Sequence, residues 1–185
     1  KSNPADSNNQ IELSTRCLLV ESENRLVLID TGLGTKQSEK FFSYYNRWGD
    51  HFLERSLKEK GFHKDDITDV FLTHLHFDHC GGAVERNPKN LHRFQPTFKN
   101  AIYHTHSQHW EWAHNPNARE KASFLRENFE PIAKNGQLNF IDKPNSDILP
   151  FDYLVFDGHT EKQLIPKINY KEKNFIKIFK KFLNI

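Results

Sequence analysis

At 185 residues the chain has room for one domain and a sizeable core, which 16 Phe, 5 Tyr and 3 Trp can fill. With 26 basic and 24 acidic residues the net charge is +2, so no global charge draws it to nucleic acid, and 2 Cys exclude a disulfide-stapled scaffold. No apolar run is long enough to cross a membrane, and no signal peptide is visible. A cytoplasmic location is expected, with an exported form left open because the chain starts at Lys1 and contains no Met.

Residues 1–10 are polar and turn-forming and read as a mobile segment. Residues 11–21 hold Ile11, Leu13 and the run Cys17 to Val20, a predicted strand; Glu21 to Asn24 turn, and Arg25 to Ile29 return as the second arm of a hairpin, ending at Asp30-Thr31-Gly32. Residues 36–60 carry helical spacing interrupted at Gly49-Asp50 and closed by Gly61. The aromatic cluster Phe41, Phe42, Tyr44, Tyr45 and Trp48 reads as core, with a share available to wall an apolar pocket. Asp65 or Asp66 is positioned to cap a single turn. Val70-Phe71-Leu72 is a short buried strand. Residues 85–99, with Asn87-Pro88 and Gln95-Pro96, read as loop; Ala101 to Tyr103 as strand; His104 to Asn115 as a helix carrying four histidines; 118–134 as one amphipathic helix with Phe124, Leu125, Phe129 and Ile132 on one side. Strands are predicted at Leu138–Ile141 and Tyr153–Phe156. The tail places Phe175, Ile178, Phe179 and Phe182 at helical spacing among Lys173, Lys177, Lys180 and Lys181. Such a helix can lie on an anionic membrane, but a terminal helix or strand packed on the core is the reading preferred here.

The chemistry is concentrated in Asp69 to Ala83, DVFLTHLHFDHCGGA. A strand runs into a loop with His74, His76, Asp78 and His79 inside six positions. His74 and His76 are two apart, so in extended backbone both imidazoles point to one side and can reach one ion. Asp78 and His79 follow where the chain turns and can face a second ion beside it. Imidazole and carboxylate suit zinc, and a position left open makes such an ion catalytic. The cysteines Cys17 and Cys80 read as small buried thiols.

His-x-His-x-Asp-His followed by Gly-Gly resembles the metallo-β-lactamase fold of metal-dependent hydrolases. The resemblance implies an α/β (α+β) chain folded as an αββα four-layer sandwich, and it covers residues 11–166. The second half is incomplete, since the bridging Asp and last His of that family have no counterpart, and 167–185 stand outside as a basic amphipathic tail. It also implies that His159, in Asp157-Gly158-His159-Thr160 after a strand, completes three imidazoles with His74 and His76. Asp78 and His79 become ligands of a second metal, and Asp30 supports the metal loop without binding metal. A helix over the active-site mouth makes His109 a candidate to touch substrate. Two Zn2+ are the expected cofactor. Zinc held by neutral imidazoles makes hydroxide available at neutral pH for attack on an ester-like bond of a small-molecule substrate, with Asp78 handling the leaving-group proton. The loop is most similar to that of the lactonases that open acyl-homoserine lactones. Thioesterases of the glyoxalase II type and a non-catalytic metal-binding remnant are the alternatives.

Overall fold

The computed structural model describes residues 3–22, 24–47, 49, 52–144 and 147–168, together with the backbone of two short strands near the C-terminus. The elements run β1 (Ser14–Thr15), β2 (Leu18–Ser22), β3 (Arg25–Ile29), α1 (Glu39–Ser43), α2 (Leu53–Glu59), β4 (Asp69–Phe71), α3 (Phe77–Cys80), β5 (Val84–Asn87), β6 (Asn90–Pro96), β7 (Ile102–Thr105), α4 (Ser107–His114), α5 (Glu130–Lys134), β8 (Leu138–Phe140), β9 (Asp152–Phe156), β10 (Gln163–Lys167), β11 (Ile176–Ile178) and β12 (Leu183–Asn184). Among the described residues four single 3-10 turns join them, at 64–66, 81–83, 121–123 and 126–128.

The frame is a six-stranded sheet in the order β11-β2-β3-β4-β7-β8. The predicted hairpin forms its β2–β3 pair, with Leu18 opposite Ile29 and Ser22 opposite Arg25. From β3 onward the pairs β3–β4, β4–β7 and β7–β8 are parallel. A parallel sheet needs cover on both faces, and alternation along its strands supplies it. Leu19, Leu26, Leu28, Val70 and Leu72 face one core with Leu57, Phe124, Phe129 and Ile132. Val20, Val27, Ile29 and Phe71 face the other, against Phe151, Tyr153 and Leu164. Tyr153 belongs to β9 and Leu164 to β10, which pair antiparallel as a two-stranded second sheet. The layers are therefore helices, large sheet and small sheet. Among the described residues no helix follows β8, so the fourth layer of the expected sandwich is not seen there.

A polar ladder crosses four adjacent strands. Arg25 on β3 donates to Asp69 on β4 at 2.8 Å, His104 Nε2 on β7 lies 2.8 Å from the same carboxylate oxygen, and Asn139 on β8 donates to His104 Nδ1 at 3.1 Å. Asn139 occupies Nδ1 as donor, so Nε2 carries the proton given to Asp69. His104 is thereby structural. His106 caps α4 by accepting from the Gln108 amide, and His114 Nδ1 lies 2.9 Å from the Trp110 carbonyl.

Three expectations are corrected. Residues 85–99 hold the antiparallel hairpin β5–β6. Pro88-Lys89 makes its turn, with Asn87 Oδ1 accepting from the Lys89 amide, and Pro96 ends its second strand without removing a needed donor. Residues 118–134 are not one helix: Phe124 and Leu125 are extended, and helix begins only at α5, where Pro131 stands in the first turn. At the 3-10 turn of 64–66 the His63 side chain is the cap, while Asp66 accepts from the His63 amide. Gly61 does stop α2, at φ +84. Trp48 and Asp50 lie outside the described residues, as does most of the tail; within it β11 pairs antiparallel with β2 and β12 with β1 as strands.

Candidate metal centre

The site grows from the C-terminal end of β4, a strand buried between parallel neighbours. The Leu72 amide donates to the His104 carbonyl, and the Leu164 amide donates to the Thr73 carbonyl at 2.8 Å, so the two sheets pin the loop where it leaves the strand. Next come His74, Leu75 and His76, then the one-turn helix α3.

Asp30 sits in the left-handed region at φ +56, a conformation Asp tolerates better than most residues. Its Oδ1 accepts from the Thr73 amide at 2.9 Å, Thr73 Oγ1 donates to the carboxylate, and Oδ2 lies 2.8 Å from His79 Nδ1. One carboxylate thus orients both the start of the loop and a ring near its end. The far end is locked by close backbone contact. The Thr31 amide donates to the His79 carbonyl at 2.7 Å and the Gly82 amide to the Gly32 carbonyl at 3.0 Å. A Cβ at Gly81 would stand 2.1 Å from the Leu33 carbonyl oxygen, and one at Gly82 2.3 Å from that of Thr31. The Gly-Gly pair is required by this approach. The buried Lys36 ammonium donates to the Gly81 carbonyl, and burial lowers its pKa to about 8.

His74, His76 and His159 converge, with one ligand-type nitrogen from each inside 4.8 Å of the others. His76 Nδ1 lies 3.1 Å from His159 Nε2. His74 Nε2 is buried and has no hydrogen-bond partner, an orphaned polar atom of the kind that is costly without a ligand. Burial, reinforced by the surrounding imidazoles, holds His74 far below the ordinary histidine range; burial and His159 lower His76. Both are neutral at pH 7, the state a metal needs. These three residues fit a divalent metal.

Asp78 and His79 stand beside that group and outside it. His79 Nε2 is 3.5 Å from Asp78 Oδ2, and the His79 ring centroid is 3.9 Å from that of His74. Burial alone would lower the His79 pKa, but the Asp30 carboxylate outweighs it and the net shift is upward. The expectation that His109 touches substrate is corrected. The ring is fully buried, its Nε2 accepts from the Leu75 amide at 2.9 Å, and its Nδ1 is 2.5 Å from the Glu161 carbonyl. Both nitrogens are in use, and the residue braces the His74–His76 loop against the His159 loop. Cys80 is a buried thiol donating to the Leu75 carbonyl, its pKa raised by burial.

Sequence reasoning did not find Glu120. Its Oε2 accepts from Thr160 Oγ1 at 2.6 Å and Trp112 Nε1 at 3.2 Å, and lies 3.4 Å from His76 Nε2. Nothing local marks it, because all three partners are distant in sequence or belong to other elements.

A β-sheet with a three-histidine cluster at its strand ends, braced by an Asp and a glycine pair, is the metallo-β-lactamase fold. Residues 11–85 match the model of the Metallo-beta-lactamase superfamily. Two curated relatives, named as probable metallo-hydrolases of Mycobacterium tuberculosis and Mycobacterium bovis, are 30% identical over 122 residues, covering 57% of this chain and 39% of each relative. A probable metal-dependent hydrolase from Staphylococcus aureus superposes with a TM-score of 0.81 at 24% identity, over 95% of this chain and 61% of that one. AidC, a dizinc quorum-quenching lactonase solved with a product, gives a TM-score of 0.64 at 25% identity, over 86% of this chain and 54% of that one. The chain thus spans about two fifths of the curated relatives it matches.

Proposed function

We propose that the protein is a metal-dependent hydrolase acting on an ester-like bond of a small molecule, with an acyl-homoserine lactone as the preferred substrate and zinc as the metal. The observation that carries this reading is the convergence of His74, His76 and His159 around the orphaned His74 Nε2. In this reading those three imidazoles are the ligands, Asp78 and His79 face a second ion, and residues 11–166 form the domain that bears them. A bound divalent metal supplies Lewis acidity and a water acidic enough to ionise near neutral pH. The chain's own residues do the rest. Asp30 keeps His79 and the loop in register, and Asp78, half-exposed beside His79, takes and returns the leaving-group proton.

The likeness to AidC supports the lactone, and so does the aromatic wall. Phe77, between His76 and Asp78, meets Phe41 at 5.3 Å and Tyr45 at 5.0 Å between ring centroids, an apolar flank suited to an acyl chain. One observation favours a second reading, a mononuclear or non-catalytic metal-binding remnant: among the described residues the one group of three or more ligand-type side chains is His74, His76 and His159, with Asp78 and His79 outside it.

The test combines metal analysis with a substrate panel. The zinc-loaded protein is expected to open acyl lactones faster than short polar esters and to respond to acyl length, and His76→Ala is expected to lose both metal and turnover. Activity that survives loss of the metal defeats the mechanism. Equal rates across chain lengths defeat the acyl pocket, and thioesters turned over in preference to lactones move the assignment to a thioesterase.

A further inference from the structure

The two nitrogens of His76 face opposite ways. Nδ1 looks into the cluster, 3.1 Å from His159 Nε2. Nε2 looks out, is buried, and has no aligned hydrogen-bond partner; the carboxylate nearest to it is Glu120, whose Oε2 is 3.4 Å away. A histidine that binds metal through one nitrogen almost always gives its other N–H to a carboxylate, carbonyl or water, and that partner fixes the ring.

Glu120 is built for this. Its side chain is largely buried, and the oxygen facing His76 is the one that Thr160 and Trp112 hold. Asn117 donates to the other oxygen at 3.3 Å. Trp112 lies on α4, Thr160 is buried in the loop that bears His159, and Glu120 comes from the segment between α4 and α5. Three separate parts of the chain therefore meet behind His76. Through Thr160, one carboxylate is tied to two candidate ligands at once.

We propose that Glu120 is a positioning residue of the metal centre: it orients His76 through Nε2 and, clamped by Thr160, sets His76 and His159 at a fixed separation. The proposal rests on the reading of His74, His76 and His159 as ligands. A purely architectural Glu120 would hold Thr160 and Trp112 in place and leave metal affinity alone.

The experiment measures zinc affinity by competition with a chromophoric chelator, and the visible spectrum of the cobalt-substituted protein, for wild type, Glu120→Ala, Glu120→Gln and Thr160→Val. Loss of an outer partner of a metal ligand typically weakens binding about 10–100-fold. Glu120→Ala is expected in that range with an altered cobalt spectrum. Glu120→Gln keeps an acceptor for Thr160 and Trp112 but loses the charge, and is expected between Ala and wild type. Thr160→Val is expected to weaken binding by a smaller factor in the same direction. If Glu120→Ala does not fold, the other two variants carry the test. Wild-type affinity and spectrum in folded variants overturn the proposal. A wild type that binds no zinc overturns the ligand reading itself, so the two failures are distinguishable.

Discussion

His109→Leu tests how the two halves of the site are held together. The imidazole is fully buried, accepts the Leu75 amide and donates to the Glu161 carbonyl. Leucine keeps the apolar bulk and removes both bonds. Leu75 is itself fully buried, so its amide is left without a partner, at a cost of about 1–3 kcal/mol. Glu161 is exposed, and its carbonyl recovers water. The variant should therefore be about 1–3 kcal/mol less stable than wild type at pH 7.5. The deficit should also depend on pH. Burial lowers the His109 pKa to about 4 against 6.5 for the free side chain, the Glu161 bond opposing it. The folded state then binds fewer protons than the unfolded one below 6.5. The contribution is fully present above pH 6.5, and about 3 kcal/mol of it is lost as the pH falls to 4. Leucine has nothing to lose. Urea unfolding of the metal-free protein, followed by tryptophan fluorescence, should show the gap between the two proteins closing from pH 7.5 to pH 4.5. A gap that stays constant across that range, or one below about 0.5 kcal/mol at pH 7.5, refutes the reasoning.

Two further outcomes follow from the loop. Gly81→Ala sets a methyl group 2.1 Å from the Leu33 carbonyl oxygen and 2.5 Å from its carbon. Backbone cannot swing aside as a flexible side chain can, so the loss should reach or exceed about 3 kcal/mol, the upper end for overpacking, with zinc affinity falling alongside; denaturant titration showing a change under about 1 kcal/mol would mean the loop has slack. Asp30→Asn keeps the shape and suits the left-handed backbone at φ +56 but removes the negative charge 2.8 Å from His79 Nδ1. His79 should then titrate lower than in wild type by NMR of the metal-free protein, and an unchanged titration would show that Asp30 does not set its charge.

The parts that a sequence shows are those with local rules. The β2–β3 hairpin is written in alternation, and the metal loop in ligand spacing after a buried strand. The hairpin β5–β6 is not, because Leu91 is exposed and two prolines mimic loop chemistry. The 118–134 stretch has the right apolar residues for a helix, but Phe124 reaches the core from an extended break and Phe129 from the end of the single turn that follows it. Glu120 and His109 mislead in opposite directions for one reason. The contacts that decide their roles, Glu120 with Thr160 and His109 with Leu75 and Glu161, span 34 to 52 residues, so only the folded chain shows that Glu120 touches a candidate ligand and that His109 has no nitrogen to spare.

The three imidazoles do not stand on equal ground. Two leave a strand flanked on both sides in the middle of the large sheet, while His159 is exposed and rides on the lip of a two-stranded ribbon. Local opening follows the least supported contacts. A cation seated among these rings would find its exit on the His159 side, with the other two still waiting in place.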